Sequence, residues 1–143
     1  MAVKGLSDRK TQILEEAEKL FHAKGYLACS VRDLAEVLEI EAASLYSHFK
    51  SKEEILWTIA DRCADEFFET VKPIAASKLH TQQKLTDMIV AHVGVITRNI
   101  NASAVFLREW RHLSEPRRSE YKILRNEYEG IFRDCLLYTS PSP

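Results

Sequence analysis

Glu109 and His112 stand three residues apart on a predicted helix, which is the spacing of one ligand pair in a di-iron carboxylate site. Such a site needs a second Glu-x-x-His pair and two further carboxylates. No carboxylate stands three residues before any of the other histidines, which are His22, His48, His80 and His92. The chain also lacks the HExxH, G-x-S-x-G, P-loop and dinucleotide-binding motifs. We therefore expect no enzyme, no bound metal and no cofactor, and a di-iron enzyme is an alternative that metal analysis would test.

Cationic and hydrogen-bonding side chains between residues 30 and 52 could instead contact the phosphates and base edges of DNA. They are Arg32, Ser44, Tyr46, His48 and Lys52. Lys52 lies at the start of a predicted helix, where free backbone amides favour an anion. The net charge of the chain is −1, and residues 1–52 carry eight Lys and Arg against eight Asp and Glu. Affinity for DNA would therefore depend on local placement of these cations, with the acidic residues turned away.

Two short predicted helices and a tight turn would position these side chains. Ser30 can cap the first helix, and Asp33 stands in the reciprocal capping position. The apolar stripe of this helix breaks at Glu39-Ile40 and resumes in a second helix that contains Leu45 and Phe49. This layout is typical of a helix-turn-helix, whose second helix enters the major groove of DNA.

The stretch from Gly25 to Leu56 resembles the DNA-binding segment of the TetR family of bacterial transcriptional regulators. The matching features are Gly25-Tyr26, the Ser30-x-x-Asp33-Leu34-Ala35 helix, the Leu45-Tyr46-Ser47-His48-Phe49 core and the Lys50-Ser51-Lys52-Glu53-Glu54 cap. Several positions match at fixed spacing over about a third of the chain, which makes the motif specific. The resemblance implies a three-helix DNA-binding domain followed by a helical ligand-binding domain.

The resemblance also implies which side chains contact DNA. The predicted set is Ser30, Arg32, Ala42, Ala43, Ser44, Tyr46, His48 and Lys52. Small side chains at the tip of the second helix leave base reading mainly to Ser44, to the two alanine methyl groups and to Arg32.

Tyr46 and Lys52 match positions at which family members contact phosphate. Glu41 departs from the family pattern, because members usually carry Ser or Thr there. Its carboxylate would repel phosphate if it faced the DNA backbone, so the exact contact set is open at this position.

The remaining elements are also predicted to be helical. A first helix, capped by Ser7 and ended by Gly25, would brace the two helices of the motif. A long helix begins at Lys52, carries two apolar strips and is expected to end at Pro73. No stretch shows the alternation of a strand. We expect an all-α protein with a helix-turn-helix DNA-binding domain over residues 1–52 and an incomplete helical effector and dimerisation domain over residues 53–137.

The predicted effector domain has an apolar interior with few polar groups. Its candidate ligand-binding residues are Phe67, Met88, His92, Phe106, Trp110 and Tyr128. In the TetR family this region holds a small-molecule pocket, and its occupancy reorients the DNA-binding heads. Residues 104–134 further resemble, more weakly, a subgroup linked to fatty-acid and acyl-CoA metabolism, through the Phe106-Leu107-x-Glu109 and Leu113-Ser114 pattern. This implies a fatty acyl or other small apolar effector.

The predicted function is ligand-responsive regulation of transcription, most often repression, by a homodimer that binds a palindromic operator in double-stranded DNA. The alternative is a helical module that binds a protein or a lipid and carries a non-functional helix-turn-helix.

Three cysteines that are far apart in the sequence indicate reduced thiols. Because no signal peptide and no membrane-spanning run is visible, we expect a cytoplasmic protein that does not associate with a membrane.

The last residues, 138–143, have the composition of a foreign or non-native tail, with two prolines and two serines that would stop a helix. Family members continue with two further long helices that form the dimer interface. We expect that the chain as written lacks them, associates weakly and binds an operator poorly.

Overall fold

The structure is a computed structural model that describes residues 7–138, and this part of the chain contains helices and no strand. The helices are α1 (Asp8–Lys24), α2 (Val31–Val37), α3 (Ala42–His48), α4 (Lys52–Ala75), α5 (Thr81–Arg98), α6 (Ile100–Arg108), a 3₁₀ helix (Glu109–His112) and α7 (Arg117–Tyr138). The all-α prediction is confirmed. The predicted non-native tail lies outside the described residues, apart from Tyr138 at the end of α7.

The first three helices share one apolar core. α1 begins where the Ser7 hydroxyl accepts a hydrogen bond from the Lys10 amide, and it ends at Gly25, whose φ of 86° lies in the left-handed region. Its buried stripe packs against Leu34 of α2 and Leu45 of α3. α1 therefore braces the two shorter helices, as the sequence predicted.

The turn between α2 and α3 begins with a Schellman motif. The Ile40 amide donates to the Ala35 carbonyl over 3.0 Å, and the Glu39 amide donates to the Glu36 carbonyl over 3.1 Å. Glu39 takes the left-handed position with φ of 57°, where glycine is usually found. At the other end of α2, Ser30 and Asp33 form the predicted reciprocal capping box.

α4 runs from the first core into the rest of the molecule. Ile55 and Ile59 of α4 belong to the core of α1–α3, whereas Phe67 packs against α5 and α6 farther along. The expectation that Pro73 ends this helix is wrong, because α4 continues to Ala75. Proline costs one amide donor, but the exposed last turn still closes with a hydrogen bond of 2.9 Å from the Ala76 amide to the Lys72 carbonyl.

In the described part of the chain, no single helix is long and apolar enough to cross a membrane. α5 together with the segment 100–112 reaches the required length and composition, but the two are bent by 104° where they meet.

We predict that Glu39→Gly stabilises the fold. A left-handed residue with a side chain is strained, and glycine removes that strain at some cost in unfolded-state entropy, so we expect a gain of about 0.5–1 kcal/mol in the free energy of unfolding. Glu36→Gly is the matched control, because Glu36 is exposed within α2 and glycine there should cost about 1 kcal/mol. Urea unfolding of both variants measures the difference, and a loss of stability in Glu39→Gly would contradict the strain.

Candidate nucleic-acid interface and ligand cavity

α3 presents a polar, open surface and is held from behind by two apolar anchors. Leu45 and Phe49 are buried in the core of α1–α3. The opposite side of the helix exposes Ala43, Ser44 and Tyr46, and the Tyr46 side chain is 51% exposed. Small and hydroxyl-bearing residues on a helix that protrudes from its support allow close approach to a groove.

The other predicted contact residues lie around this surface and differ in exposure and in hydrogen bonding. Arg32 is exposed in the first turn of α2, and His48 is half-buried at the end of α3. Ser30 is exposed, but its hydroxyl oxygen accepts a hydrogen bond of 3.0 Å from the Asp33 amide. The Ser30 hydroxyl still has its own proton to donate, so capping and phosphate contact are compatible. Ala42 is half-buried at the start of α3.

Lys52 is occupied inside the protein. Its Nζ donates to the carbonyls of Tyr26 and Cys29, both over 2.9 Å, and lies 4.1 Å from the centre of the Tyr26 ring. The ammonium group therefore ties the turn between α1 and α2 to the start of α4. One of the three N–H groups of the ammonium is left for an anion. The phosphate contact of Lys52 therefore stays a prediction, and the side chain also has a structural role.

Two cations that the sequence prediction omitted also lie near α3. Lys10 of α1 places Nζ 5.4 Å from the centre of the Phe49 ring, at the end of α3. Lys50 is exposed directly after α3. The sequence signal for Lys50 was its position next to the motif, whereas only the packing of α1 against α3 reveals Lys10.

Glu41 is the N-cap residue of α3, and its side chain makes no capping hydrogen bond. Its carboxylate is exposed beside the small residues of the helix. A Ser or Thr at this position could supply the missing cap. The concern that Glu41 disfavours phosphate therefore has a structural basis.

Glu109 and His112 connect the first three helices to the rest of the chain. The imidazole of His112 stacks on the Tyr26 ring with 5.6 Å between ring centres, and its Nε2 lies 3.4 Å from Glu109 Oε2. The Tyr26 amide donates to the same carboxylate oxygen over 3.4 Å. Between residues 7 and 138, no group of three or more metal-ligating side chains is arranged to hold a metal ion. The pair thus has a packing role between the two halves of the described chain.

A second contact reinforces this junction at the start of α4. Glu53 accepts hydrogen bonds from the amide and the hydroxyl of Ser114, over 2.8 and 2.7 Å. These bonds hold the pKa of the Glu53 carboxyl below its usual value. Burial, together with the charge of Glu53, raises the pKa of Tyr26 to about 12.

Glu18 is a largely buried carboxyl where α1 meets α4. Burial raises its pKa to about 7, although the Arg62 guanidinium opposes the shift. Glu66 adds a like charge nearby, and it accepts hydrogen bonds of 2.9 and 3.0 Å from the Asn99 side chain. One nitrogen of Arg62, Nη1, is buried without a hydrogen-bond partner. The ionised form of Glu18 is therefore poorly compensated.

A cavity of about 420 Å³ lies between α4, α5, α6 and α7. Its walls are mainly aromatic and apolar. The lining residues are Ala64, Phe67, Phe68, His92, Phe106, Leu107, Tyr121, Leu124, Arg125, Tyr128, Glu129 and Phe132. The volume falls within the range of about 300–1,000 Å³ for small-molecule sites.

Four of the six predicted ligand-binding residues line this cavity, namely Phe67, His92, Phe106 and Tyr128. The structure does not bring Met88 to the wall, because that side chain is fully buried in a separate cluster. Trp110 lies behind the wall, stacked on Tyr121 with 5.3 Å between ring centres. These two positions follow apolar helix faces, which identify a buried side chain but not the space that it borders.

The polar groups of the cavity were partly missed by sequence reasoning. His92 Nδ1 lies 2.8 Å from the Tyr128 hydroxyl, and burial lowers the pKa of His92 and raises that of Tyr128. Arg125 and Glu129 also line the cavity, and they form an ion pair with 3.0 Å between Nε and Oε1. The sequence signal for these two residues is their spacing from Tyr121 and Tyr128 on α7, which places all four on neighbouring faces of the helix.

We predict that Glu18→Gln stabilises the fold by an amount that grows as pH rises from 4.5 to about 7 and then stays constant. The pKa of Glu18 is raised on folding, so its contribution is fully present below the unfolded value of 4.5 and is lost as pH rises through about 7. At pH 8 the variant should gain about 2 kcal/mol in the free energy of unfolding, and at pH 4 it should match the parent. Unfolding curves at several pH values measure this. An advantage that is equal at both extremes would contradict burial as the cause.

We predict that Lys52→Met destabilises the fold. Methionine keeps the aliphatic stem but leaves the Tyr26 and Cys29 carbonyls without their donor, which should cost about 1–3 kcal/mol. Lys50→Met is the matched control, since Lys50 is exposed and its loss should change stability by less than about 0.5 kcal/mol. Thermal and urea unfolding of both variants provide the comparison. Equal stabilities would show that Lys52 does not hold the turn.

Comparison with protein families gives two matches along the chain. Residues 13–57 match the model of bacterial regulatory proteins of the tetR family. Residues 78–137 match a tetracyclin repressor-like C-terminal domain. Among curated proteins, the HTH-type transcriptional repressor KstR2 of Rhodococcus jostii is 33% identical over 133 residues, which is 92% of this chain and 65% of the repressor. KstR2 of Mycolicibacterium smegmatis is 27% identical, over 85% of this chain and 59% of that protein. The chain thus spans about 60–65% of the length of these relatives.

Solved structures agree with these matches. The TetR family transcriptional regulator PfmR of Thermus thermophilus superposes with a TM-score of 0.81 at 34% identity, over 87% of this chain and 68% of PfmR. AibR, in complex with isovaleryl coenzyme A and operator DNA, shares the fold with a TM-score of 0.83 at 23% identity, over 93% of this chain and 72% of AibR. The family match of the first helices, the identity to PfmR and the helix-turn-helix geometry lead to one conclusion: this chain belongs to the TetR family of bacterial transcriptional regulators.

Proposed function

We propose that this chain belongs to a transcriptional repressor that binds operator DNA and releases it when a small apolar effector occupies the cavity. The observation that carries the proposal is that one helix, α4, joins an open helix-turn-helix to an aromatic cavity. Ile55 and Ile59 support the first, and Ala64 and Phe67 line the second. A site for DNA and a site for a small molecule on one rigid element are what ligand-responsive repression requires.

The exposed surface of α3 supports DNA binding in the major groove. Ser44 and Arg32 are accessible for base contacts, and Tyr46 is accessible for phosphate. Lys10 and Lys50 add positive charge beside them. One such head makes few phosphate contacts, so we propose that the active form is a homodimer whose two heads occupy successive major grooves of a palindromic operator.

The cavity supports an apolar effector. Its walls are aromatic, its volume suits a small molecule, and the relative AibR shows that this fold accommodates an acyl coenzyme A and operator DNA in one complex. We propose a fatty acyl or similarly apolar ligand for this chain. The ligand would act by population shift, because it favours the conformation in which the two heads no longer match the operator.

A series of contacts could transmit a conformational change from the cavity to the helix-turn-helix domain (α1–α3). Phe106 lines the cavity on α6, and the Tyr121 hydroxyl donates to its carbonyl over 2.9 Å. The 3₁₀ helix follows α6 directly, and its His112 stacks on Tyr26 beside the helix-turn-helix. A ligand that displaces Phe106 would therefore shift the contact between His112 and Tyr26.

We also propose a cytoplasmic location, which would give the protein access to operator DNA and is supported by the three free cysteines of the described chain. The alternative function is a helical module for a protein or lipid partner. Glu41 favours this alternative, because its exposed carboxylate makes no capping hydrogen bond to α3 and its negative charge would repel phosphate.

The chain as written is expected to bind an operator poorly, so the proposed function is tested after residues from about 137 onward are replaced by the C-terminus of a family member. Binding sites are then selected from random duplex DNA. We expect one enriched palindrome, and we expect Arg32→Ala and Ser44→Ala to relax the preference at separate base pairs, each by about 1–3 kcal/mol. Lys19→Ala is the control, since Lys19 is exposed on α1 and should leave the motif unchanged. Titration of the selected DNA at several salt concentrations then gives the number of phosphate contacts. If no sequence is enriched, the chain functions as an interaction module rather than as a repressor.

A further inference from the structure

The cavity has an open end and an inner end. Arg125, Glu129 and Leu107 line it and are exposed, so they mark the opening to solvent. Phe67 and Tyr121 line it and are only 3% and 2% exposed, so they mark the inner wall. A ligand therefore meets charged side chains first and aromatic rings after them.

The charges at the opening cancel. Arg125 Nε lies 3.0 Å from Glu129 Oε1, and both side chains are about half exposed, at 54% and 53%. Within the described chain, the wall of the cavity holds no other permanent cation, and burial lowers the pKa of His92, which disfavours the charged form of its ring. A carboxylate pushed to the inner end would have no opposite charge, and burying it would cost several kcal/mol.

His92 brings one free hydrogen-bonding group to the inner wall, because its ring centre lies 5.1 Å from that of the buried Phe67. His92 Nδ1 pairs with the Tyr128 hydroxyl at 2.8 Å, and Nε2 makes no hydrogen bond with any residue in the range 7–138. A neutral imidazole has one donor and one acceptor nitrogen. If Tyr128 donates to Nδ1, then Nε2 carries the proton and can donate to a carbonyl. In the other tautomer, Nε2 accepts from a hydroxyl.

The ring positions leave His92 little freedom. The centre of the imidazole lies 5.1 Å from that of the Phe67 ring and 6.1 Å from that of the Phe132 ring. Together with the bond to Tyr128, these contacts restrict rotation of the imidazole. A fixed polar atom among aromatic walls orients a ligand and distinguishes it from a plain hydrocarbon.

We infer that the inner end of the cavity recognises an uncharged oxygen, a carbonyl or a hydroxyl, carried on an apolar body. His92 makes the hydrogen bond, and Tyr128 positions the His92 ring. Any anionic part of the effector stays at the opening beside Arg125 and Glu129. This inference rests on the proposed function and narrows it from any apolar effector to one with a neutral polar group at its buried end.

Three probes of similar size test the inference at pH 8: propiophenone, propylbenzene and 3-phenylpropanoate. Each probe has one phenyl ring with a three-carbon side chain. Propiophenone adds a neutral carbonyl, propylbenzene adds no polar group, and 3-phenylpropanoate adds a carboxylate. Trp110 reports binding, because it stacks on Tyr121 at the cavity wall. The chain has two tryptophans, so Trp57→Phe leaves Trp110 as the only indole. Fluorescence titration of the 143-residue chain with this substitution gives a dissociation constant for each probe.

Added to this background, His92→Phe should weaken propiophenone about three- to tenfold, the value of one hydrogen bond, and leave the other two probes unchanged. Tyr128→Phe keeps the ring and should weaken propiophenone by a smaller factor, with no effect on propylbenzene. If His92→Phe does not fold, the effect of Tyr128→Phe on propiophenone binding tests the inference instead. Leu124→Ala is the control variant, because Leu124 lines the cavity without a polar group and its loss should weaken all three probes alike.

The outcomes separate the inference from the proposed function. If all three probes bind and His92→Phe weakens them equally, or weakens only the carboxylate, the role of His92 as a reader of a neutral oxygen is overturned while the effector cavity stands. If none of the probes binds at its solubility limit, both the inference and the effector role of the cavity are overturned. If propiophenone alone responds to His92→Phe, the inference holds.

Discussion

The continuity of α4 is the constraint on which the rest of the structure depends. Its 24 residues form one helix from Lys52 to Ala75, which at 1.5 Å per residue is about 36 Å long. Residues near its start complete the core of α1–α3, and residues beyond Cys63 complete the aromatic clusters around the cavity. Because a helix with buried residues on two sides cannot bend without disturbing one core or the other, the head and the cavity are mechanically linked.

Polar contacts also join α1–α3 to the 3₁₀ helix and to the residues that follow it. Stacking of His112 on Tyr26 and the hydrogen bonds from Ser114 to Glu53 fix the end of the 3₁₀ helix against the head. The hydrogen bonds of the exposed Ser114 cost less to rearrange than the buried apolar contacts of α4, whereas the Tyr26 ring of the stack is itself buried. The junction therefore has a rigid part and an adjustable part, which is a suitable arrangement for two discrete conformations.

Local features of the sequence predicted the helix-turn-helix well, and features that depend on distant residues were beyond it. The Ser30 and Asp33 capping box is defined by residues three apart, so it was readable directly. The occupation of Lys52 by the Tyr26 and Cys29 carbonyls joins segments more than twenty residues apart, and a helix-start lysine gives no hint of it.

The cavity shows the same limit. Phe67, His92, Phe106 and Tyr128 were predicted because apolar faces point inward, but Met88 follows the same rule and faces a different cluster. Only the angles between helices determine which inward-facing side chains surround an empty space. Pro73 illustrates the opposite error, in which a strong local rule was overruled by a last turn that could still satisfy its hydrogen bonds.

The origin of the cavity walls has a consequence for how such regulators diversify. Six of the twelve lining residues belong to α7 and one belongs to α5. These two helices pack mainly on α4 and on each other, and the exposed surface of α3 receives no contribution from them. Apart from Tyr121, which packs in the core shared with α1–α3, substitutions of these lining residues can therefore accumulate without altering the exposed surface of α3. Within one scaffold, the lining of the cavity and the exposed surface of α3 can diverge independently of each other.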